Sequence, residues 1–521
     1  MRTWRSWAAA LISVVVVAAL TACSSPKPTD TPQPAAPEAP KPAVVPQELL
    51  VANDQEPVGL DPAKNPASSS LRIIARMYNG LTRLNEKLEV VPDLAENWEN
   101  PDPTTWVFHL RQGVKFHSGK EMTAEDVKYT YERILDKATA SIAASYFAQV
   151  DKIEAVDKYT VKFTLKEPFA PFLTNTSSTW ASIVNKDFTE DLNKKEDGTG
   201  PFKLAEWVPD DHVKLVKFAD YFEKGKPKLD AITYLLMKEE AARLAALRTG
   251  KVHLTTVSAD SATLLAKDAG INVLTYQSLE YSYLGMNAGR KPFDNPKVRQ
   301  AISLVVDRQE ILDTVWKGKA VLTGPTPSAL TQWAAPTAEL PDYKVDIAKA
   351  KQLLAEAGYP TGFKTTLISA STYPDMMDTA QVIQKQLKQI GIEVEIKPTE
   401  WGAYVNAWKA KEMDMMVGRN GSGTDPDRSL AFFFHTTGTA NVWNFSDKEY
   451  DQLVEQGRKA STLQDRQKFY LQAQKKLVSL HPNLFLASPQ YFYALQDGVK
   501  GFTPSPTGSE YAFVDVTLEG K

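Results

Sequence analysis

The chain is short of the groups that most chemistry needs. Among 521 residues there is one cysteine, Cys23, so no disulfide can form within it. Its six histidines, His109, His117, His212, His253, His435 and His481, include no i, i+4 pair and have no cysteine partners. That spacing argues against a preformed zinc site. His109 and His117 read as structural, and His435 is the one histidine to test for metal. No Gly-x-Ser-x-Gly and no phosphate loop of the Gly-x-x-x-x-Gly-Lys-Ser type occurs, so nothing marks a nucleophile or a nucleotide cradle. Basic residues are not concentrated anywhere, and Lys plus Arg (60) fall below Asp plus Glu (63), which argues against a nucleic-acid partner. After Leu20 no apolar run approaches the length needed to span a bilayer. The expectations are therefore no catalysis, no cofactor and no resident metal.

What is present begins at the N-terminus. Arg2 and Arg5 precede fourteen residues, Trp7 to Leu20, in which Ser13 is the only polar member. That is short for a membrane span and reads as a secretory signal peptide over residues 1–22. Leu20-Thr21-Ala22-Cys23 resembles the bacterial lipobox, which predicts cleavage before Cys23 and lipid on its thiol. Loss of the leader removes Arg2 and Arg5 and no acid, taking the net charge from −3 to −5. Residues 23–46 are rich in Pro, Ala, Ser and Thr and read as a semi-rigid tether that buries no core. The 475 residues from Gln47 onward, in a chain 43% hydrophobic and 24% charged, suffice for two or three full-sized cores.

Within that body the signals alternate. Gln47 to Ala52 reads as a first strand, and Ser68 to Ser70 supply N-cap candidates for a helix running to about Gly80. Trp106 to Arg111 alternates as a strand, and Gln112-Gly113 predicts a hairpin into Val114 to Phe116. Thr123 and Asp126 form a capping box for a helix through Leu135, and Tyr159 to Leu165 is another period-two strand. Gly198-Thr-Gly200-Pro201 reads as a turn feeding a strand at Phe202 rather than a phosphate cradle. Pro296 starts a helix with Val298, Ile302 and Val305 on one face. Asp346 caps a helix that Gly358 and Pro360 end. Thr365–Ile368, a helix to Ile390 and Ile392–Ile396 make a βαβ unit, and Leu484–Leu486 and Tyr491–Leu495 read as returning strands. Asp425-Pro426-Asp427 is either a pair of ligand carboxylates or an ordinary helix start. The class is α/β with α+β insertions.

The ordered motifs Leu60-Asp-Pro62, Pro92-Asp-Leu-Ala-Glu-Asn-Trp98, Phe108-His-Leu-Arg-Gln-Gly-Val-Lys-Phe-His-Ser-Gly119, Thr123-Ala-Glu-Asp-Val127, Gly198-Thr-Gly-Pro-Phe202, Met286-Asn287, Pro292-Phe-Asp-Asn-Pro-Lys-Val-Arg-Gln-Ala-Ile302 and Asp425-Pro-Asp427 resemble the family 5 solute-binding proteins. These are the dipeptide, oligopeptide and nickel receptors of ABC importers, and the likeness runs from about Gln47 to Gly501. It implies a two-lobed periplasmic-binding-protein fold of class II. Lobe I would be residues 47–282 plus 488–521, with an extra subdomain at about 81–197, and lobe II residues 283–487. Hinge crossings would lie near Tyr283–Asn287 and Leu486–Tyr491. Function would follow by closure over a solute, a mechanism that needs no chemistry. The implied partners are a peptide or other small solute and a heterodimeric permease with cytoplasmic ATPases. The implied setting is a lipid-anchored monomer at the outer face of the membrane or in the periplasm.

The same resemblance sharpens the candidate site. Where the peptide receptors carry a tryptophan and then an aspartate for the ligand's amino group, this chain has Arg419 and Ser422. Where dipeptide receptors place an arginine ahead of Tyr373, Ser371 and Thr372 stand. The candidate ligand residues are Ser68 from lobe I and Tyr373, Trp401, Tyr404, Arg419, Asn420, Gly421, Ser422 and Asp425 from lobe II. Trp401, Tyr404 and Trp408 also fit a packed helical face, and Arg419 a solvated surface residue. A peptide is the leading ligand. The alternatives are an oligosaccharide, an opine-like or other anionic solute, a nickel chelate, or a surface chaperone or signalling receptor with no import role.

Overall fold

A computed structural model describes residues 47–65, 67–507 and 511–519. The leader, Cys23 and the proline-rich segment to Pro46 lie outside them.

Burial patterns sort the strands into different settings. Glu280–Met286 is buried from Tyr281 onward and needs cover on both faces, whereas Thr160–Leu165 alternates and needs cover on one. The first lies inside a five-stranded sheet of order Glu393–Thr399, Lys364–Ala370, Met415–Gly421, Glu280–Met286, Asn483–Phe485. The second belongs to a four-stranded antiparallel sheet, Ala95–Asp102, Thr105–Leu110, Thr160–Leu165, Val150–Asp157. The largest sheet runs Ile271–Gln277, Ala487–Gln496, Leu254–Val257, Glu48–Asn53, Ala231–Leu236, His212–Lys217, Phe202–Val208, with Ala320–Leu322 pairing Ala487–Gln496 beside that path. Each sheet has its own core. Leu49, Ile73, Ile74 and Phe202 pack on the largest, Phe108, Tyr131, Phe163 and Phe172 on the four-stranded, and Tyr283, Leu367, Met415 and Trp443 on the five-stranded. Each fully buried large apolar side chain contributes about 1.5–3 kcal/mol.

The chain leaves the largest sheet after Gln277, enters the five-stranded sheet at Glu280, and returns between Phe485 and Ala487. The segment Tyr283–Asn287 thus begins inside the Glu280–Met286 strand. These two crossings stand side by side, because Gln277 pairs with Gln490 and Tyr283 with Phe485.

Most local signals hold. Thr123 and Asp126 form the capping box of Ala124–Leu135. Pro296–Val305 starts on proline and buries Val298, Ile302 and Val305. Asp346 caps Ile347–Glu356, and Gly358 takes φ 91° beyond it. Lys364–Ala370 and Glu393–Thr399 pair in parallel around Pro374–Leu387. Residues 426–434 are helical, with Asp425 Oδ1 accepting from Asp427 N at 2.9 Å, and the segment Arg428–Phe432 is a π turn.

Three details differ. Trp106 to Leu110 makes no hairpin with Val114 to Phe116, because both its edges are taken, by Ala95–Asp102 and Thr160–Leu165. Val114 to Phe116 makes only the bridge Lys115 to Glu121. Alternation reveals a strand but not its partner. Helix Ser68–Met77 is capped by Ala67 without a side-chain bond, and the serines fall within its first turn. Ser70 Oγ instead accepts from Val58 N at 3.0 Å. The helix ends at Met77, short of Gly80, because Met77 O turns to accept Gly200 N at 2.9 Å. That contact also explains the Gly-Thr-Gly turn: a Cβ at Gly198 would sit 2.0 Å from Met77 O, and one at Gly200 2.4 Å from Met77 C.

Candidate functional site

Pairing register builds the site. Met415–Gly421 lies antiparallel to Glu280–Met286 with Arg419 opposite Ser282 and Gly421 opposite Glu280. Arg419 and Glu280 are therefore diagonal neighbours on one face of the sheet. Across a neighbouring strand, Tyr373 caps Pro374–Leu387 and puts Asp375 in that helix's first turn.

These elements converge on Arg419. Its Cζ stands 5.0 Å above the Tyr373 ring, its Nε 3.6 Å from Asp375 Oδ2 and its Nη1 3.9 Å from Glu280 Oε2. Among the described residues no acceptor comes within hydrogen-bonding distance of it. Tyr373 meets Trp401 edge-on at 5.1 Å, and Trp401 stacks on Tyr404 at 5.2 Å and 12°. Trp401 is 41% exposed and offers a face, while Tyr404 is buried and donates its hydroxyl to Val417 O at 3.0 Å. Tyr491, on the strand after the second crossing, donates to Glu280 Oε2 at 2.5 Å. Burial pushes the Asp375 carboxyl up, with Arg419 pulling the other way. Burial opposes the Arg419 charge as well, but Asp375 and then Glu280 outweigh it and raise its pKa. The result is a partly desolvated cation with two acids and an aromatic wall, beside the strands that join the two large sheets.

The remaining candidates lie apart from this group. Asn420 points to the other face and donates to Tyr281 Oη at 3.2 Å. Ser422 is fully buried, its Oγ donating to Gly423 O at 2.9 Å and its N–H to Leu279 O at 2.8 Å. Asp425 is buried and accepts from Arg466 Nη2 at 2.7 Å. Gly421 is exposed, with open space where a Cβ would be. Ser68 is exposed at the start of its helix, and among the described residues no contact joins it to Arg419. Trp408 packs on the core beneath the five-stranded sheet. His435 is held by Thr437 at 2.9 Å and Glu455 at 3.3 Å, and no group of three or more His, Cys, Asp or Glu among the described residues is placed to hold a metal. His117 is an internal strut, bonded to Glu196 at 2.6 Å and Gly200 O at 2.9 Å.

Sequence reasoning missed Asp375, Glu280 and Tyr491. Asp375 alone had a local signal, an acid in the first turn after Tyr373-Pro374. A second missed set crosses to the four-stranded part: Arg428 Nη1 donates to Tyr146 Oη at 2.7 Å, and Ala170 N to Arg458 O at 2.7 Å.

Sheets joined by two crossings in this way find matches among known proteins. The family model "Bacterial extracellular solute-binding proteins, family 5 Middle" matches residues 89–441. The chain belongs to this family. It is a solute-binding component of an ABC importer and not an enzyme. The chain is 31% identical to "Di/tripeptide-binding protein 1" of Pseudomonas aeruginosa, over 91% of this chain and 96% of that one. It is 31% identical to the glutathione-binding protein GsiB of Salmonella typhi, over 92% and 96%. Among solved structures, AgaA of A. tumefaciens in complex with agropinic acid superposes with a TM-score of 0.76 at 30% identity, over 91% and 99%. The family's two-lobed fold accords with the sheets and crossings described above. No helix among the described residues is long and apolar enough to cross a membrane.

Proposed function

We propose that this family 5 protein captures a peptide, or a closely related small solute with an anionic group, against Arg419, Tyr373 and Trp401. The lobes close over it, hinged at the two crossings, and present it to a heterodimeric permease driven by cytoplasmic ATPases. Lipid on Cys23 holds the receptor at the outer face of the membrane, and the segment to Pro46 gives it reach. The observation that carries this reading is Arg419: a planar donor fork, fixed over Tyr373 and 23% exposed, with no hydrogen bond spent on any of the described residues. Relatives that bind di- and tripeptides and glutathione support the peptide class.

A panel of peptides two to eight residues long tests it by thermal shift. Ligand at a hundredfold excess over Kd adds about 2.7 kcal/mol of stability. A panel with no effect, while another solute raises Tm, refutes the peptide assignment. Arg419→Ala should abolish binding without lowering the Tm of the empty protein. Cys23→Ser should release a folded, ligand-competent protein from the membrane, and retention there would refute the anchor.

A second reading, an opine-like or other anionic solute, is favoured by Ser422. It stands where peptide receptors carry the amine-binding acid, and its hydroxyl is already spent on Gly423 O. The likeness to an agropinic acid complex points the same way. Native mass spectrometry of protein purified without refolding separates the two by the mass of the retained ligand.

A further inference from the structure

An anion-binding arginine alone does not account for the charge around Arg419. Two carboxylates, Asp375 and Glu280, flank one guanidinium, so the group is net negative. Some arginine pairs elsewhere in this protein close into hydrogen bonds, Arg458 with Asp427 at 2.6 and 3.0 Å and Arg466 with Asp425 at 2.7 Å, while others stay open, Arg72 at 3.9 Å from Asp54 and Arg290 at 3.5 Å from Asp414. At Arg419 the separations stay at 3.6 and 3.9 Å. The three side chains are partly open, Arg419 by 23%, Asp375 by 22% and Glu280 by 39%. Each is fixed by something other than its opposite charge. Tyr373 lies under Arg419, the first turn of Pro374–Leu387 carries Asp375, and Tyr491 holds Glu280.

We infer that Arg419, Asp375 and Glu280 together read an α-amino-acid head group, the ligand's carboxylate on Arg419 and its ammonium on Asp375 and Glu280. This rests on the reading that Arg419 faces the solute. Spacing decides the class of ligand. A linear peptide spans about 3.3–3.6 Å per residue, so even an extended dipeptide holds its terminal charges about 7 Å apart. Opposite charges 3.6 to 3.9 Å apart on the protein cannot receive both ends of such a chain. They suit a molecule with ammonium and carboxylate on one carbon, which a peptide linked through a side-chain carboxyl possesses. Ser422, buried and donating to Gly423 O, offers an ammonium no charge, so the two acids supply what that position lacks.

Isomeric dipeptides of equal composition and charge test this. Isothermal titration of the purified full chain with γ-Glu-Ala and α-Glu-Ala should show the γ isomer binding at least about tenfold more tightly. Asp375→Asn should weaken the γ isomer roughly ten- to hundredfold, with the Tm of the empty protein unchanged and with partial rescue in Asp375→Glu. Equal affinities, or preference for the α isomer, overturn the inference and leave the capture of peptides standing. An equal loss for both isomers in Asp375→Asn also overturns it, since the acid then only supports Arg419. If neither isomer nor any α-linked peptide in the wider panel binds, the peptide reading fails with it.

Discussion

Asp425 gives the sharpest separation of binding from stability. Asp425 is 5% exposed, and its carboxylate pairs with Arg466, itself 6% exposed, at 2.7 Å. Arg466 is wedged between aromatic faces, 5.0 Å from the Trp333 ring and 5.2 Å from Tyr470. Burial opposes its charge, and Asp425 more than compensates, raising its pKa. Removing the acid in Asp425→Ala leaves an unpaired guanidinium in a closed space, a loss of about 3–5 kcal/mol. Globular proteins unfold with about 2.1 cal/mol/K per residue, so the 475-residue body carries about 1 kcal/mol/K. Tm should therefore fall by about 3–5 °C. Replacing both partners, Asp425→Leu with Arg466→Met, should recover most of that, because the cost lies in the orphaned charge. The assay is calorimetry of the empty protein, with isothermal titration of the best peptide at a temperature where each variant is folded. Ligand affinity should change less than about threefold in Asp425→Ala, within the scatter expected of a group outside the site. Unchanged Tm with lost affinity would refute the reasoning and return Asp425 to the ligand.

Other expectations follow from single contacts. Gly418→Ala puts a Cβ 2.4 Å from Tyr283 Oη and 2.6 Å from Tyr404 Oη, and should cost about 1–3 kcal/mol in chemical denaturation, relieved in part by Tyr283→Phe. His253 Nδ1 accepts Leu50 N–H at 3.0 Å and burial lowers its pKa, so the unfolded chain takes up the proton first. Its contribution to stability is then complete above the ordinary histidine range, lost as pH falls from about 6.5 toward the folded value, and constant below. Tm profiles from pH 7.5 to 5 should be flatter in His253→Asn, and a parallel profile would count against this. Arg428→Ala removes the bond to Tyr146 Oη and should enlarge the radius of gyration of the liganded protein by small-angle scattering while weakening ligand. A variant as compact and as tight as wild type would show that this bridge does not bear on closure.

How much of this was legible in the sequence divides along the range of the interactions. Caps and turns are local, so Thr123 with Asp126, Pro296, and Asp346 with Gly358 declared their helices in the sequence. Partners are not local. Trp106 to Leu110 reads as a strand, but its neighbours are residues up to 57 positions away, so the nearby Val114 to Phe116 looked like the natural mate. The site divides in the same way. Arg419 stood out because it departs from the family's motif, and Tyr373, Trp401 and Tyr404 as aromatic side chains of the same expected cleft.

Glu280 and Tyr491 had no motif, and they enter the site only through register. Glu280 reaches Arg419 because a strand beginning just after the first crossing is paired with one 135 residues on, with Gly421 opposite it. Tyr491 reaches Glu280 because the second crossing returns the chain beside the first. A shift of either register by one residue would turn these side chains to the opposite face, away from Arg419. The acids of the site and the joint between the two large sheets are therefore set by the same strand pairings. A ligand whose ammonium engages Glu280 touches the first strand beyond the crossing and, through Tyr491, the strand beyond the second. Its binding energy then acts on the two crossings that we propose as the hinges of closure.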